Sequence, residues 1–167
     1  TQSKLYNGID KDDDAAVAMA DSSVVGISML GLDARYSVKG LQLRGQLYYA
    51  SLSNTDEYNV FTAKDGSMND VGSAMIGYYA EAAYNVFRTV DTEMQLTPFV
   101  RYEFLNTHSS VENNIAKNAS YEKTAITTGL TLALTKGAVV KTDIQFVKNA
   151  ATDTYAKTFS AGIGVMF

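Results

Sequence analysis

His108 is the one histidine in the chain, and Ser109 and Ser110 follow it directly. A histidine beside a serine could serve as base and nucleophile in acyl or peptide cleavage. Adjacent residues on an extended chain point apart, so a loop would have to fold back to join the two groups. His108 therefore reads as a polar loop residue, and no enzymatic activity is expected. A second group is acidic: Asp10, Asp12 and Asp14, with Asp13 between them and Asp21 beyond, resemble the alternating ligands of a calcium loop. The glycine such a loop requires is replaced by Ala15 and the closing glutamate by Asp21, and no flanking helices are evident. A solvated acidic loop is expected there, with no metal and no cofactor. Asn118-Ala119-Ser120 fits a glycosylation sequon by chance. The third group is dispersed: Asp33, Arg35, Arg44, Glu81, Arg101, Glu103, Lys141 and Asp143, four of each sign, each inside a segment of alternating polarity.

Seven such segments must position these charges. Residues 23–38 alternate most clearly as Leu30, Leu32, Ala34, Tyr36 and Val38 against Asp33, Arg35 and Ser37. Leu41 to Tyr49 follows after Lys39-Gly40, and Ala74 to Val86 comes next. Met94 to Phe104, Ile126 to Leu134 and Val140 to Phe146 continue the pattern, the last two joined by Lys136-Gly137. The final segment ends Phe159-Ser-Ala-Gly-Ile163-Gly-Val165-Met-Phe167, with large or small apolar residues at every second position. Pro98 lies inside the fourth segment; having no N–H to donate, it predicts a local bulge.

Length and composition narrow the class. At 167 residues the chain suits one domain. Cysteine is absent, so neither a disulfide framework nor a thiolate metal site is possible. A net charge of −4 argues against a nucleic-acid partner. No apolar run approaches the ~18 residues of a membrane helix, but a barrel strand needs only ~9–11 residues, half of them apolar. Thr1-Gln-Ser-Lys4 lacks the apolar stretch of a signal peptide, so a processed chain or part of a longer one is expected.

Connection lengths are asymmetric. Short links at Lys39-Gly40, residues 88–93 and Lys136-Gly137 alternate with longer polar ones at residues 51–73, 107–123 and 149–154. Tight turns at one end and long loops at the other characterise outer-membrane barrels. A soluble antiparallel sandwich also alternates, but its polar face meets water with many charges. Here that face is mild: Thr, Gln, Ser, Gly and Asn with few charges. Tyr36, Tyr49, Tyr84, Phe104 and Phe167 cluster near segment ends, as an interfacial aromatic girdle would. The terminal strand, through Phe159, Ile163, Val165 and Phe167, has the form of an assembly signal read by the barrel assembly machinery.

Gly77-Tyr-Tyr-Ala-Glu-Ala-Ala-Tyr84, Leu96-Thr-Pro-Phe-Val-Arg-Tyr-Glu103, Thr127-Thr-Gly-Leu-Thr-Leu132 and Val139-Val-Lys-Thr-Asp-Ile-Gln-Phe146 occur in a familiar order. Together they resemble the C-terminal part of the phosphate-selective porin O and P family and its broader bacterial relatives, over roughly residues 31–167. The resemblance implies a trimeric channel of about sixteen strands for small anions or other small solutes.

The expected fold is thus all-β, an antiparallel transmembrane barrel of which residues 23–167 supply seven C-terminal strands and residues 1–22 an extracellular acidic loop. A complete eight-stranded barrel, with a first strand inside residues 5–21, is the second reading. The expected function is passive diffusion of small polar solutes through the bacterial outer membrane, with the eight dispersed charges lining the pore. Their balance implies weak selectivity. The partners are outer-membrane lipid and the solutes, with a homotrimer or membrane complex possible and no nucleic acid. The alternative is a small structural or adhesive barrel acting through its extracellular loops.

Overall fold

The computed structural model describes residues 9–166. Seven strands form one open antiparallel sheet: β1 (Gly26–Val38), β2 (Leu41–Ser53), β3 (Ala74–Tyr84), β4 (Gln95–Ser110), β5 (Glu122–Thr135), β6 (Ala138–Asn149) and β7 (Ala156–Val165). Each pairs only with its neighbours in sequence. The outer edges of β1 and β7 have no partner among the described residues. All seven alternating segments are strands. Phe167, the last residue of the expected assembly signal, lies outside the described residues; Phe159, Ile163 and Val165 occupy one face of β7.

The registers explain why these segments pair. Leu32 faces Leu47, which faces Tyr78, which faces Phe104. Tyr36, Leu43, Ala82, Val100, Thr128, Ile144 and Phe159 form a second unbroken row. A slip of one residue would turn an entire strand over, so matching apolar faces across all six pairings is a strong specification of register. Tyr78 stacks on Phe104 at 5.2 Å between ring centroids, adding an aromatic contact to the β3–β4 pair.

Among the described residues nothing packs on this apolar face, and the buried hydrophobic residues are three alanines, Ala20, Ala74 and Ala83. Leu30, Leu32, Tyr36, Leu43, Val100 and Leu130 are all exposed, and Ile163 is 78% exposed.

The turns differ from one another. Lys39 (φ 47°) and Gly40 (φ 83°) both take left-handed backbone, the two-residue turn that matches strand twist. Lys136-Gly137 has the same residues in a different geometry: Gly137 is not left-handed, the β5–β6 ladder shifts between Ala133 and Thr135, and Thr135 Oγ1 accepts the Gly137 N–H at 3.2 Å. A side chain at Gly137 would come within 2.6 Å of the Met166 carbonyl, so this glycine admits the end of β7.

The expected bulge at Pro98 does not form. Pro98 pairs in regular register with Leu130 of β5, and the β3 ladder instead stops at Ala83–Phe99, one residue short of it. The missing donor costs a ladder bond without bending the strand, and beyond it the Val86 N–H again donates to the Leu96 carbonyl at 2.8 Å. The acidic segment is also not simply a loop: Asp14–Ser22 forms α1. Asp13 is its N-cap, its Oδ1 accepting the N–H groups of Ala15 and Ala16, and alanine-rich DAAVAMADS suits a helix. A first strand across residues 5–21 is therefore absent from the described part of that stretch. A second short helix, α2 (Thr55–Phe61), lies in the β2–β3 loop.

Candidate functional site

The face opposite the apolar one carries all eight dispersed charges. Strand register collects them in strips. Arg35, Arg44, Glu81 and Arg101 are successive partners from β1 to β4, and the strip continues through Thr127, Gln145 and Thr158. The next strip toward the loop end runs Asp33, Gln46, Tyr79, Glu103 and Ala125. Positive charge thus predominates in one strip and negative charge in its neighbour.

Glu81 is the centre of this arrangement. Its side chain is 9% exposed, and its Oε2 accepts from Arg101 Nε at 2.9 Å and Nη2 at 2.6 Å. Arg44 Nε lies 3.8 Å from the other oxygen. One carboxylate on β3 therefore bridges arginines of β2 and β4, and the short two-pronged contact is the strong kind of ion pair. Arg101 also lies 5.0 Å above the Tyr79 ring and 3.9 Å from Glu103. Glu103 receives long 3.5 Å contacts from Thr127 Oγ1 and Gln145 Nε2. Asp33 and Arg35 pair separately at 3.3 Å on the open strand β1. Lys141 and Asp143 form no ion pair among the described residues, but they help line a groove of about 310 Å³ with Arg44, Glu81, Thr97 and Arg101.

Charge alone does not single out Tyr79, Thr127 and Gln145, which complete this face. Their signal was present in the polar alternation: each sits on the same register as the charges. Glycines also shape this face. A side chain at Gly31 would meet the Tyr48 ring at 2.7 Å, and one at Gly129 would meet Phe99 at 2.8 Å, so aromatic rings lie over both glycines.

His108 is only 3% exposed. Its Nδ1 accepts the Asn118 N–H at 3.2 Å, which leaves Nε2 as the protonated nitrogen, donating to the Asp70 carbonyl at 2.5 Å. Its ring packs on Tyr121 at 4.2 Å, and the Tyr121 hydroxyl donates to Asp70 Oδ2 at 2.8 Å. That hydrogen bond to the Asp70 carboxylate, with the carboxylate's charge, raises the Tyr121 pKa above the usual phenol value. Neither Ser109 nor Ser110 hydroxyl is among the His108 partners. His108 is thus a buried residue of β4, not the loop residue expected, and it fastens the 62–73 loop to the 111–121 loop with both ring nitrogens used on backbone.

The rest of the loop end is packed in the same manner. Asn59 is buried, and its amide both donates to the Val71 carbonyl and accepts the Val71 N–H. Asn54 reaches the Val24 carbonyl, Asn114 the Asp56 carbonyl, and Ser23 the Met19 carbonyl. Asp10 accepts the Asp12 N–H and Asp13 caps α1, so these carboxylates serve local backbone. No three acidic or histidine side chains converge among the described residues. His108→Ala is expected to loosen the two loops, seen as faster amide hydrogen exchange at Val71 and Asn118 and a stability loss of about 1–3 kcal/mol. Unchanged exchange at both amides would show that the histidine holds nothing.

No family model matches the chain, and no solved structure matches it. The chain is similar to a protein of Aquifex aeolicus (strain VF5) described as an uncharacterized protein, 34% identical over 73 residues. The match covers 41% of this chain and 17% of the relative, so the chain spans a small part of that protein's length.

Proposed function

We propose that this sheet is part of a transmembrane β-barrel of the bacterial outer membrane, and that the barrel is a channel for passive diffusion of small polar solutes. The observation that carries the reading is the uncovered apolar face, continuous across all six strand pairings. A soluble monomer rarely exposes an apolar patch beyond a few hundred Å². Hydrocarbon is the solvent such a face suits, and the polar face then borders water. The open edges of β1 and β7 call for further strands, because unpaired backbone groups are not tolerated in lipid. A barrel larger than these seven strands meets that need, consistent with the porin resemblance, and leaves an aqueous lumen. Tight turns then face the periplasm, and α1, α2 and the 111–121 loop face outward.

In this reading Asp33, Arg35, Arg44, Glu81, Arg101, Glu103, Lys141 and Asp143 line the pore. Their balance supports weak selectivity, since no excess of fixed positive charge favours anions along this part of the wall. Phe159, Ile163, Val165 and Phe167 serve as the assembly signal. The chain has no enzymatic role, and His108 is structural. The packed loop end favours one rival, a barrel acting through its loops as an adhesive or structural element. Planar-bilayer recording from the full-length protein separates the two. Stepwise conductance is expected; a correctly inserted but silent protein favours the rival.

A further inference from the structure

Across the seven strands, the apolar register bears just two cations, Lys148 on β6 and Lys157 on β7. They are close neighbours at the loop end. Lys157 faces Phe146 across the β6–β7 pair, and Lys148 follows Phe146 by two residues. Lys157 Nζ lies 5.9 Å from the Phe146 ring centre, and Lys148 Nζ lies 5.4 Å from that of Tyr155. Each ammonium therefore rests against an aromatic ring on the outward face. Neither forms an ion pair among the described residues. The acid nearest in register on that face, Glu122 of β5, accepts from Asn106 Nδ2 at 3.0 Å.

Two unpaired ammonium groups beside an apolar band are costly unless they reach water or an anion. At the edge of a bilayer the anion at that depth is a lipid phosphate, whose acyl chains would lie along the adjoining Ile144, Phe146 and Phe159. The geometry points to a binding site for the phosphate headgroup of an anionic outer-leaflet lipid, formed by Lys148 and Lys157 with Tyr155 and Phe146. The inference rests on the membrane reading above. It adds a specific lipid site to an otherwise nonspecific apolar belt. Arginine in place of either lysine keeps the charge, whereas glutamine removes it and keeps most of the stem.

The test uses the full-length protein in detergent, titrated with diphosphoryl lipid A and read by native mass spectrometry. The Lys148→Gln/Lys157→Gln variant is expected to bind lipid A about thirtyfold more weakly, from two lysine–phosphate contacts. Lys148→Arg/Lys157→Arg is expected to retain binding, and Lys136→Gln, at the opposite end, to leave it unchanged. Equal binding by the glutamine variant overturns the site, as does an equal loss with Lys136→Gln. Competition by millimolar inorganic phosphate that matches lipid A would also overturn it, by showing a free-phosphate site. Insertion of the same proteins into phosphatidylcholine vesicles is measured in parallel. Failure of all of them to insert refutes the membrane reading and the site with it. Insertion without lipid A preference refutes the site alone.

Discussion

On the proposed membrane reading, Val100→Arg is expected to destabilise the protein in phospholipid vesicles by about 2–4 kcal/mol, the cost of an arginine near the middle of a lipid-facing strand. Val100 is 50% exposed and sits in the central apolar row between Ala82 and Thr128. In water a half-exposed position tolerates arginine to within about 0.5 kcal/mol, because the guanidinium simply remains hydrated. The same substitution thus distinguishes the two solvents for which the sheet could be built. Thr158→Arg on the opposite face supplies the control, with a change of no more than about 1 kcal/mol expected, since a polar wall hydrates the added charge. Denaturant titration of the vesicle-inserted full-length protein measures both. A small effect at Val100 would mean that the apolar face is covered by protein or water rather than lipid.

In the proposed channel, Glu81→Gln is expected to shift selectivity toward anions. The glutamine keeps the shape but withdraws the carboxylate that Arg101 clasps and Arg44 approaches. Arg44 then carries uncompensated charge, and Arg101 keeps only its 3.9 Å contact with Glu103, in the groove that also holds Lys141 and Asp143. Fixed positive charge raises the local anion concentration, so reversal potential in a salt gradient should move toward the chloride equilibrium value. Stability should fall as well, by about 1–3 kcal/mol, because a nearly buried ion pair loses one partner. The figure lies below that of a fully buried pair, since the arginine side chains remain 35% and 47% exposed and are screened by water. An unchanged reversal potential in an open, folded channel would place this groove off the conduction path.

Much of the strand plan was legible in the sequence. Alternation is a local property, and a strand displays it residue by residue, so Leu30–Val38, Leu41–Tyr49 and Ala74–Val86 could be placed from residue type alone, the last running two residues past the end of β3. The turns at Lys39-Gly40 and Lys136-Gly137 were legible too, but not their difference. The first is set by its own left-handed backbone; the second is decided by the approach of Met166, a residue far away in sequence. The helix at Asp14–Ser22 was masked by its aspartates, which suggested ligands or solvated loop. Asp13 instead caps the helix, a role that depends on backbone conformation and not on charge. Pro98 showed the opposite error: the missing donor was recognised, but the chain passes it in register on both sides, bonding again at Val86–Leu96.

The charges divide the same way. By itself, the sequence determined that seven segments within residues 23–167 alternate, with a mild polar register holding four charges of each sign and an apolar register opposite it. Only the tertiary structure decided which charges meet. Strand pairing set Arg35, Arg44, Glu81 and Arg101 side by side, and turned a balanced count into neighbouring positive and negative strips. It also gave each nitrogen of His108 a backbone partner from a different part of the loop end. The reason is one of range. Which face a residue occupies follows from its parity within a strand, whereas which residue lies beside it depends on register and loop packing across many tens of residues.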